Sequence, residues 1–347
     1  MALDLTGLPA HWLVALLLGG TVLVWQGSEV LEASSETLAV HYELPPVVQG
    51  AVVAAVGSSF PELSTTVIST LLHGEFSLGV GAIVGSAVFN VLVIPGLSGL
   101  FTAERLESSR DVAYKEALFY MLSVAALFAV FSMSVVYYRQ EAVGPLVGTV
   151  TRPFAASLVV LYGLYVFIQW QDTQDHTPTR SLEAGVSVAR QWLLLAASLL
   201  VILVGVEAMV QAVLGFGELF GTPSFLWGVT VIAAGTSLPD TLVSVRAARK
   251  GSGVTSLANV LGSNVFDLLV AIPAGVLIAG SASVNFAVAG PMLAFLVFAT
   301  VVLFAFLRTD LSVTTPEALV LVGVYVVFVG WVTLETLGLV RGVIPSV

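Results

Sequence analysis

Cysteine is absent from the 347 residues, and Asp, Glu, Lys and Arg together make up only 10% of them. A soluble domain usually carries about a quarter charged residues. The first absence excludes disulfides, thiolate metal sites and a cysteine nucleophile. The second excludes an ordinary cytoplasmic enzyme and a disordered scaffold. Positive charge is scarcest: 12 Lys and Arg face 22 Asp and Glu, a formal net charge of −10. No basic patch is left for a phosphate backbone, so nucleic acid is not a partner. The four histidines, His11, His41, His73 and His176, stand between the long apolar runs or at their very ends. A histidine metal or catalytic centre is therefore not expected. Ser58 and Ser59 likewise lack a histidine placed as a base, which argues against a hydrolase.

Apolar residues fill the space: 57% of the chain is hydrophobic. A membrane-spanning helix needs about 20 mostly apolar residues. Ten segments qualify: 11–38, 44–73, 77–101, 112–137, 144–170, 187–214, 222–248, 255–280, 284–307 and 315–339. Ala, Val, Leu and Gly occur all around these segments, where a barrel would alternate every second residue. The expectation is an all-α membrane protein of ten transmembrane helices, with membrane lipid around it. No Lys or Arg precedes the first apolar run, which favours a retained first span over a cleaved leader. With both termini outside, nine of the 12 Lys and Arg fall on cytoplasmic connections, as the positive-inside bias requires.

The polar connection 171–186 divides the chain into residues 1–170 and 187–347, five spans each. The halves resemble one another. At an offset of 178, the run from Gly57 to Glu62 (GSSFPE) falls on that from Gly235 to Asp240 (GTSLPD), Gly27 on Gly205, and Glu29 on Glu207. At an offset of 177, Gly85 to Asn90 (GSAVFN) falls on Gly262 to Asp267 (GSNVFD). Five is odd, so the two repeats must insert in opposite senses. Inverted repeats with interrupted helices are the mark of a secondary transporter.

The motifs carry the chemistry. Pro61 and Pro239 each lack a backbone donor and crowd the preceding turn. Spans 2 and 7 should therefore break near 57–61 and 235–239. The carbonyls of Ala54, Ala55, Ala233 and Ala234 then become candidate cation ligands, since unwound backbone is tolerated only where it lines a cavity. Glu62 and Asp240 follow the prolines. A carboxylate deep in a membrane is costly and usually functional, and no Lys or Arg lies at comparable depth to neutralise either. Helical spacing places Thr65, Thr66 and Ser69 on the face of Glu62, and Ser237 and Ser244 on that of Asp240. Ser86 with Asn90, and Ser263 with Asp267, are four apart and share a helix face. All these donors are oxygens, the preference of hard cations such as Ca²⁺; zinc and copper favour nitrogen or sulfur. Glu29 and Glu207 could line an ion entrance or mark solvated helix ends.

GSSFPE with GSAVFN, and GTSLPD with GSNVFD, resemble the two α-repeats of the cation/Ca²⁺ exchanger superfamily, most closely its sodium/calcium exchangers. The matched stretches are 52–95 and 230–273. GSAVFN, the Pro-Asp of the second repeat and Asp267 are similar to the potassium-dependent branch, which leaves K⁺ co-transport open. The resemblance implies a secondary antiporter in the cell membrane that exchanges Na⁺ for Ca²⁺ by alternating access and extrudes Ca²⁺. It implies no cofactor and no obligatory protein partner. It makes Glu62 and Asp240 the central acidic ligands, flanked by Ser58, Ser59, Thr236 and Ser237. Asn90, Asp267, Ser86 and Ser263 complete the site, and spans 1 and 6 form a sliding pair. Asp240 stands where Glu is common, Ala87 where an amide is, and Val243 where Thr is. The short central connection leaves no room for a calcium-sensing domain, so exchange should be constitutive. The alternatives are H⁺/Ca²⁺ exchange, whose usual Gly-Asn motif ending in Glu is missing, and a passive cation channel.

Overall fold

The computed structural model describes residues 5–43, 55–102, 105–172, 187–337 and 339. The chain is an α-helical membrane protein. Eight of its helices are long and apolar enough to cross a membrane, and a bent pair makes a ninth span among the described residues. The expected second span begins at 44; its described part starts at 55, and Ala54 lies outside. The central connection lies outside from 173 to 186.

In the first half, α1 (Ala10–His41), α2 (Ala55–Ser58), α3 (Phe60–Leu72) and α4 (Phe76–Phe101) lead to β1 (Leu106–Glu107). A π-helical turn at Asp111–Glu116 opens α5 (Ala117–Tyr137), followed by β2 (Val147–Thr151) and α6 (Arg152–Asp172). In the second half, α7 (Val188–Phe220) precedes α8 (Ser224–Trp227), a π-helical segment Gly228–Ile232, α9 (Ala233–Thr236) and α10 (Leu238–Arg249). Then come α11 (Gly253–Phe266), a π segment Asp267–Ala271, α12 (Ile272–Ala279), β3 (Ser281–Asn285), α13 (Phe286–Asp310), β4 (Ser312–Val313) and α14 (Thr315–Thr336).

The helix ends follow from local chemistry. Gly221 closes α7 in the left-handed region at φ 61°, where a side chain would be strained. Thr314 and Glu317 form a reciprocal capping box before α14, satisfying donors that a helix start leaves bare. Pro273 cannot donate to the turn before it, and the π turn Asp267–Ala271 immediately precedes it; such local rewinding re-satisfies backbone inside a bundle. The expected uninterrupted helix over 255–280 is thus α11, a π turn and α12.

The fifth expected span needs a correction. Residues 147–151 are a strand, and helix α6 begins only at Arg152. The run Val-Gly-Thr-Val-Thr is rich in β-branched residues and pairs antiparallel with β3, Thr149 opposite Ser283. β1 and β4 form a second ribbon, Leu106 opposite Val313. Each ribbon joins two connections that the span order places at the same end of the bundle.

At the centre lies α4, buried along most of its length. It packs against α3, α10, α13, α14 and the π segment 228–232. Helices α1 and α7 pack chiefly on each other. A methyl group on Gly20 would stand 2.7 Å from the Gly205 carbonyl oxygen, one on Gly27 2.7 Å from Ile202, and one on Gly215 2.8 Å from Leu13. Numbers rising on one helix meet numbers falling on the other, so the pair is antiparallel, and small residues allow the close approach.

Candidate functional site

The two proline motifs bend their helices as expected. α2 passes to α3 at Ser59 (φ −93°, ψ 8°), and α9 to α10 at Ser237 (φ −80°, ψ −1°). The second bend measures 44°. Each proline sits in the first turn of the following helix, where a missing N–H costs least.

The bends are hydrogen-bonded, however. Ser237 N donates to Ala233 O at 3.1 Å, and Thr236 Oγ1 to the same oxygen at 3.4 Å. The Ala233 carbonyl is therefore not set free, contrary to expectation. By the i→i−4 rule, the carbonyl that Pro239 leaves without its helical donor is that of Gly235. Ala55 is the first residue of α2.

Glu62, Asp240 and Asp267 are 2%, 3% and 1% exposed. No salt bridge reaches any of them among the described residues. They are close enough for their charges to interact: Asp240 acts on Glu62, and both act on Asp267. No three His, Asp or Glu side chains among the described residues form a ready-made metal cage. Neutral oxygens fill in between. Ser86 Oγ donates to Glu62 Oε1 at 3.3 Å and lies 2.7 Å from Ser237 Oγ. With its hydrogen on Glu62, Ser86 accepts from Ser237. Thr236 also faces Glu62, and Ser58 and Ser263 face Asp240. Ser59 stands beside Asp267 and donates to Ser263 O at 3.5 Å. Asn90 Nδ2 donates to Asn264 Oδ1 at 3.0 Å.

The described residues of the expected set thus draw together, with contributions from both halves of the chain. Four buried acceptor oxygens remain without a hydrogen bond: Glu62 Oε2, Asn90 Oδ1, and Asp267 Oδ1 and Oδ2. Orphan acceptors are rare in folded proteins and call for a ligand. A cluster of buried acceptor oxygens that outnumber the hydroxyl donors beside them suits a cation.

Other hydroxyls take a different role. Thr65 Oγ1 donates to Pro61 O at 2.8 Å, Thr66 Oγ1 to Glu62 O at 3.2 Å, and Ser69 Oγ to Thr66 O at 3.3 Å. They turn back on their own helix, where spacing alone had them facing the Glu62 carboxylate. Glu29 and Glu207 each meet a base from the other half. Arg246 Nη1 lies 3.2 Å from Glu29, and His73 Nε2 lies 3.1 Å from Glu207. They link the α1–α7 pair to the ends of α10 and α3.

Two residues escaped the sequence reading, and a third was placed elsewhere by it. Glu32 on α1, expected near the outer surface, is close enough to Asp240 for its charge to act there. Asn264 stood inside a quoted motif without a role. Tyr120, buried on α5, carried no signal, because a lone aromatic in an apolar span reads as packing.

The family profile described as sodium/calcium exchanger protein matches residues 12–171 and 190–334. An uncharacterized membrane protein of Methanocaldococcus jannaschii, MJ0091, is 26% identical over 291 residues, spanning 83% of this chain and 88% of its own. The sodium/calcium exchanger MaX1 of Methanosarcina acetivorans is 25% identical over 285 residues, 74% of this chain and 80% of its own. Among solved structures, the sodium-calcium exchanger NCX_Mj soaked with Na⁺ and Sr²⁺ matches with a TM-score of 0.63. That match has 24% identity and covers 93% of this chain and 99% of the other; it is a likeness of fold.

Proposed function

The chain belongs to the sodium/calcium exchanger protein family, and from that premise we propose that it exchanges Na⁺ for Ca²⁺ across the cell membrane, with Ca²⁺ extrusion as the working direction. One observation carries this reading. Three buried carboxylates with no cationic partner among the described residues lie among serine, threonine and amide oxygens from both halves. Taking a bare carboxylate out of water costs several kcal/mol, and a cation taken up from solution offsets that cost. Ca²⁺ accepts six to eight oxygen ligands at flexible distances. The ligands we assign are Glu62, Asp240, Asp267 and Asn90 with the hydroxyls of Ser58, Ser59, Thr236, Ser237, Ser86 and Ser263.

Alternating access would come from the antiparallel α1–α7 pair moving against the core. Its mutual interface is more extensive than its packing on the remaining helices, of which the largest part is α7 on α3, and that supports the division. Both termini lie outside on this reading, and the 171–186 connection is cytoplasmic. The branch to which Asp267 is similar makes K⁺ a co-substrate to test. The MaX1 name, sodium/calcium exchanger, agrees with Na⁺ as the coupling ion.

The test uses the full chain in proteoliposomes loaded with Na⁺, with ⁴⁵Ca²⁺ outside. Uptake should require the outward Na⁺ gradient and vanish in Glu62→Ala. Uptake driven by a pH jump in the absence of Na⁺ would replace this reading with H⁺/Ca²⁺ exchange. Flux beyond the turnover of a carrier would make the protein a channel. Adding K⁺ to one side at a time decides whether K⁺ travels with Ca²⁺.

A further inference from the structure

Asn90 is an amide, and only one of its two ends can hold a cation. Both it and Asn264 are fully buried, so bulk water does not decide which way they point. Their neighbours do. Asn264 Nδ2 lies 3.3 Å from Ala87 O and 3.4 Å from Tyr120 Oη. A backbone carbonyl only accepts, so the end of Asn264 that faces Ala87 is the NH₂. The Tyr120 hydroxyl oxygen accepts from the same NH₂. With its NH₂ held by these acceptors, Asn264 presents Oδ1 to Asn90. Asn90 must answer with its NH₂, at 3.0 Å. Its own Oδ1 is left buried and without a protein partner.

We propose that Asn264 is a positioning residue: it fixes the amide of Asn90 so that the oxygen, and not the NH₂, is offered to the transported cation. The inference rests on the exchanger reading above. It also accounts for a mismatch between the repeats. Asn90 corresponds to Asp267, and Ala87 to Asn264. Asp267 offers two equivalent oxygens and needs nothing to orient it, so the position that would do so holds alanine. Asn90 offers one oxygen, and the opposite repeat supplies the residue that orients it.

The experiment measures Na⁺-driven ⁴⁵Ca²⁺ uptake against Ca²⁺ concentration in proteoliposomes of the full chain. The unaltered protein is the first arm; if it shows no Na⁺-dependent uptake, the exchanger reading itself fails. In Asn264→Leu the Asn90 NH₂ loses its acceptor whenever the oxygen faces the ion. The KM for Ca²⁺ should rise about tenfold, the penalty of an unmet buried donor, with the maximal rate within about twofold. Tyr120→Phe should stay near the unaltered KM, because Ala87 O alone still sets the direction. The decisive arm is the Asn90→Asp background, where either end of the side chain is an oxygen. There Asn264→Leu should no longer raise KM. A residue needed only for packing would impair both backgrounds alike, and that result would overturn the proposal. So would an effect on maximal rate with KM unchanged. If Asn264→Leu does not yield folded protein, Asn264→Ser, too short to reach Asn90, replaces it in both backgrounds with the same expected outcome.

Discussion

Gly85 and Gly262 occupy equivalent places in the two repeats, one residue before the paired serines Ser86 and Ser263. By sequence they should tolerate the same change. The structure makes them unequal. A methyl group at Gly85 would overlap the carbonyl oxygen of Val229 and lie 2.7 Å from both its carbonyl carbon and its Cα. Ordinary carbon contacts are about 3.5 Å, so α4 and the segment Gly228–Ile232 would have to separate by roughly 0.8 Å. Backbone lies on the far side of the contact, so no side-chain rotation relieves it. The same separation acts on the neighbouring Ser86–Ser237 hydrogen bond. Starting from 2.7 Å, it would stretch to about 3.5 Å, beyond the useful O–H···O range. At Gly262 the nearest atom is the Tyr165 hydroxyl at 3.8 Å, an ordinary contact, and alanine is the better helix former by about 1 kcal/mol.

Gly85→Ala should therefore cost about 1–3 kcal/mol as an overpacked interior, lower the Tm by several degrees, and reduce Na⁺-driven Ca²⁺ uptake by at least about tenfold. Gly262→Ala should transport as the unaltered protein does and be as stable or slightly more so. The assay is ⁴⁵Ca²⁺ uptake in Na⁺-loaded proteoliposomes, with thermal unfolding in detergent followed in parallel. Equal behaviour of the two variants, in either direction, would refute the idea that this crossing sets the geometry around Glu62.

The charge itself can be removed without changing shape. Glu62→Gln and Asp240→Asn should each lower Na⁺-driven uptake by about a hundredfold or more, while gel filtration and Tm show an intact fold; near-normal uptake in either would remove that residue from the site. At the α1–α7 crossing, Gly20→Ala should slow exchange and lower Tm, since its methyl would stand 2.7 Å from Gly205 O. Gly19→Ala, with nothing within 4 Å, should do neither. Arg246→Ala breaks an ion pair whose side chains are 61% and 42% exposed; stability should fall by no more than about 1 kcal/mol, read as an unchanged or barely changed Tm.

Much of this was legible because lipid constrains sequence tightly. A span must be long and apolar, so a helical membrane protein could be read from the runs. A charge inside one is too costly to be incidental, so Glu62, Asp240 and Asp267 stood out. The proline bends were equally plain, for Pro61 and Pro239 have no N–H to give. What was not legible depends on partners far along the chain. Residues 147–151 look like the start of a span until β3, more than 130 positions later, is seen to pair with them. Thr65, Thr66 and Ser69 share a face with Glu62 by spacing, yet their hydroxyls bond to their own backbone. Periodicity says which residues share a face and cannot say where a hydroxyl sends its hydrogen. The Ala233 carbonyl illustrates the same limit. A proline was rightly read as breaking a helix, but which oxygen it frees follows from counting four residues back.

The sparing use of Lys and Arg explains why such a site would carry cargo only by exchange. In many buried sites an acid is matched by a fixed base, and the pair then needs nothing from solution. Here the bases stand elsewhere. Arg246 and His73 meet Glu29 and Glu207 on the α1–α7 pair, and none reaches the three central acids among the described residues. With no internal counter-ion, a pocket emptied of cations carries uncompensated charge through a low-dielectric interior. The empty carrier then returns slowly, while a carrier loaded from the opposite side returns readily. That difference in barrier ties the two ion movements together, since a ligand shifts a conformational equilibrium only by what it binds better in one state. A lysine in the pocket would relax the requirement, so its absence follows from the same charge balance that makes Glu62, Asp240 and Asp267 costly to bury.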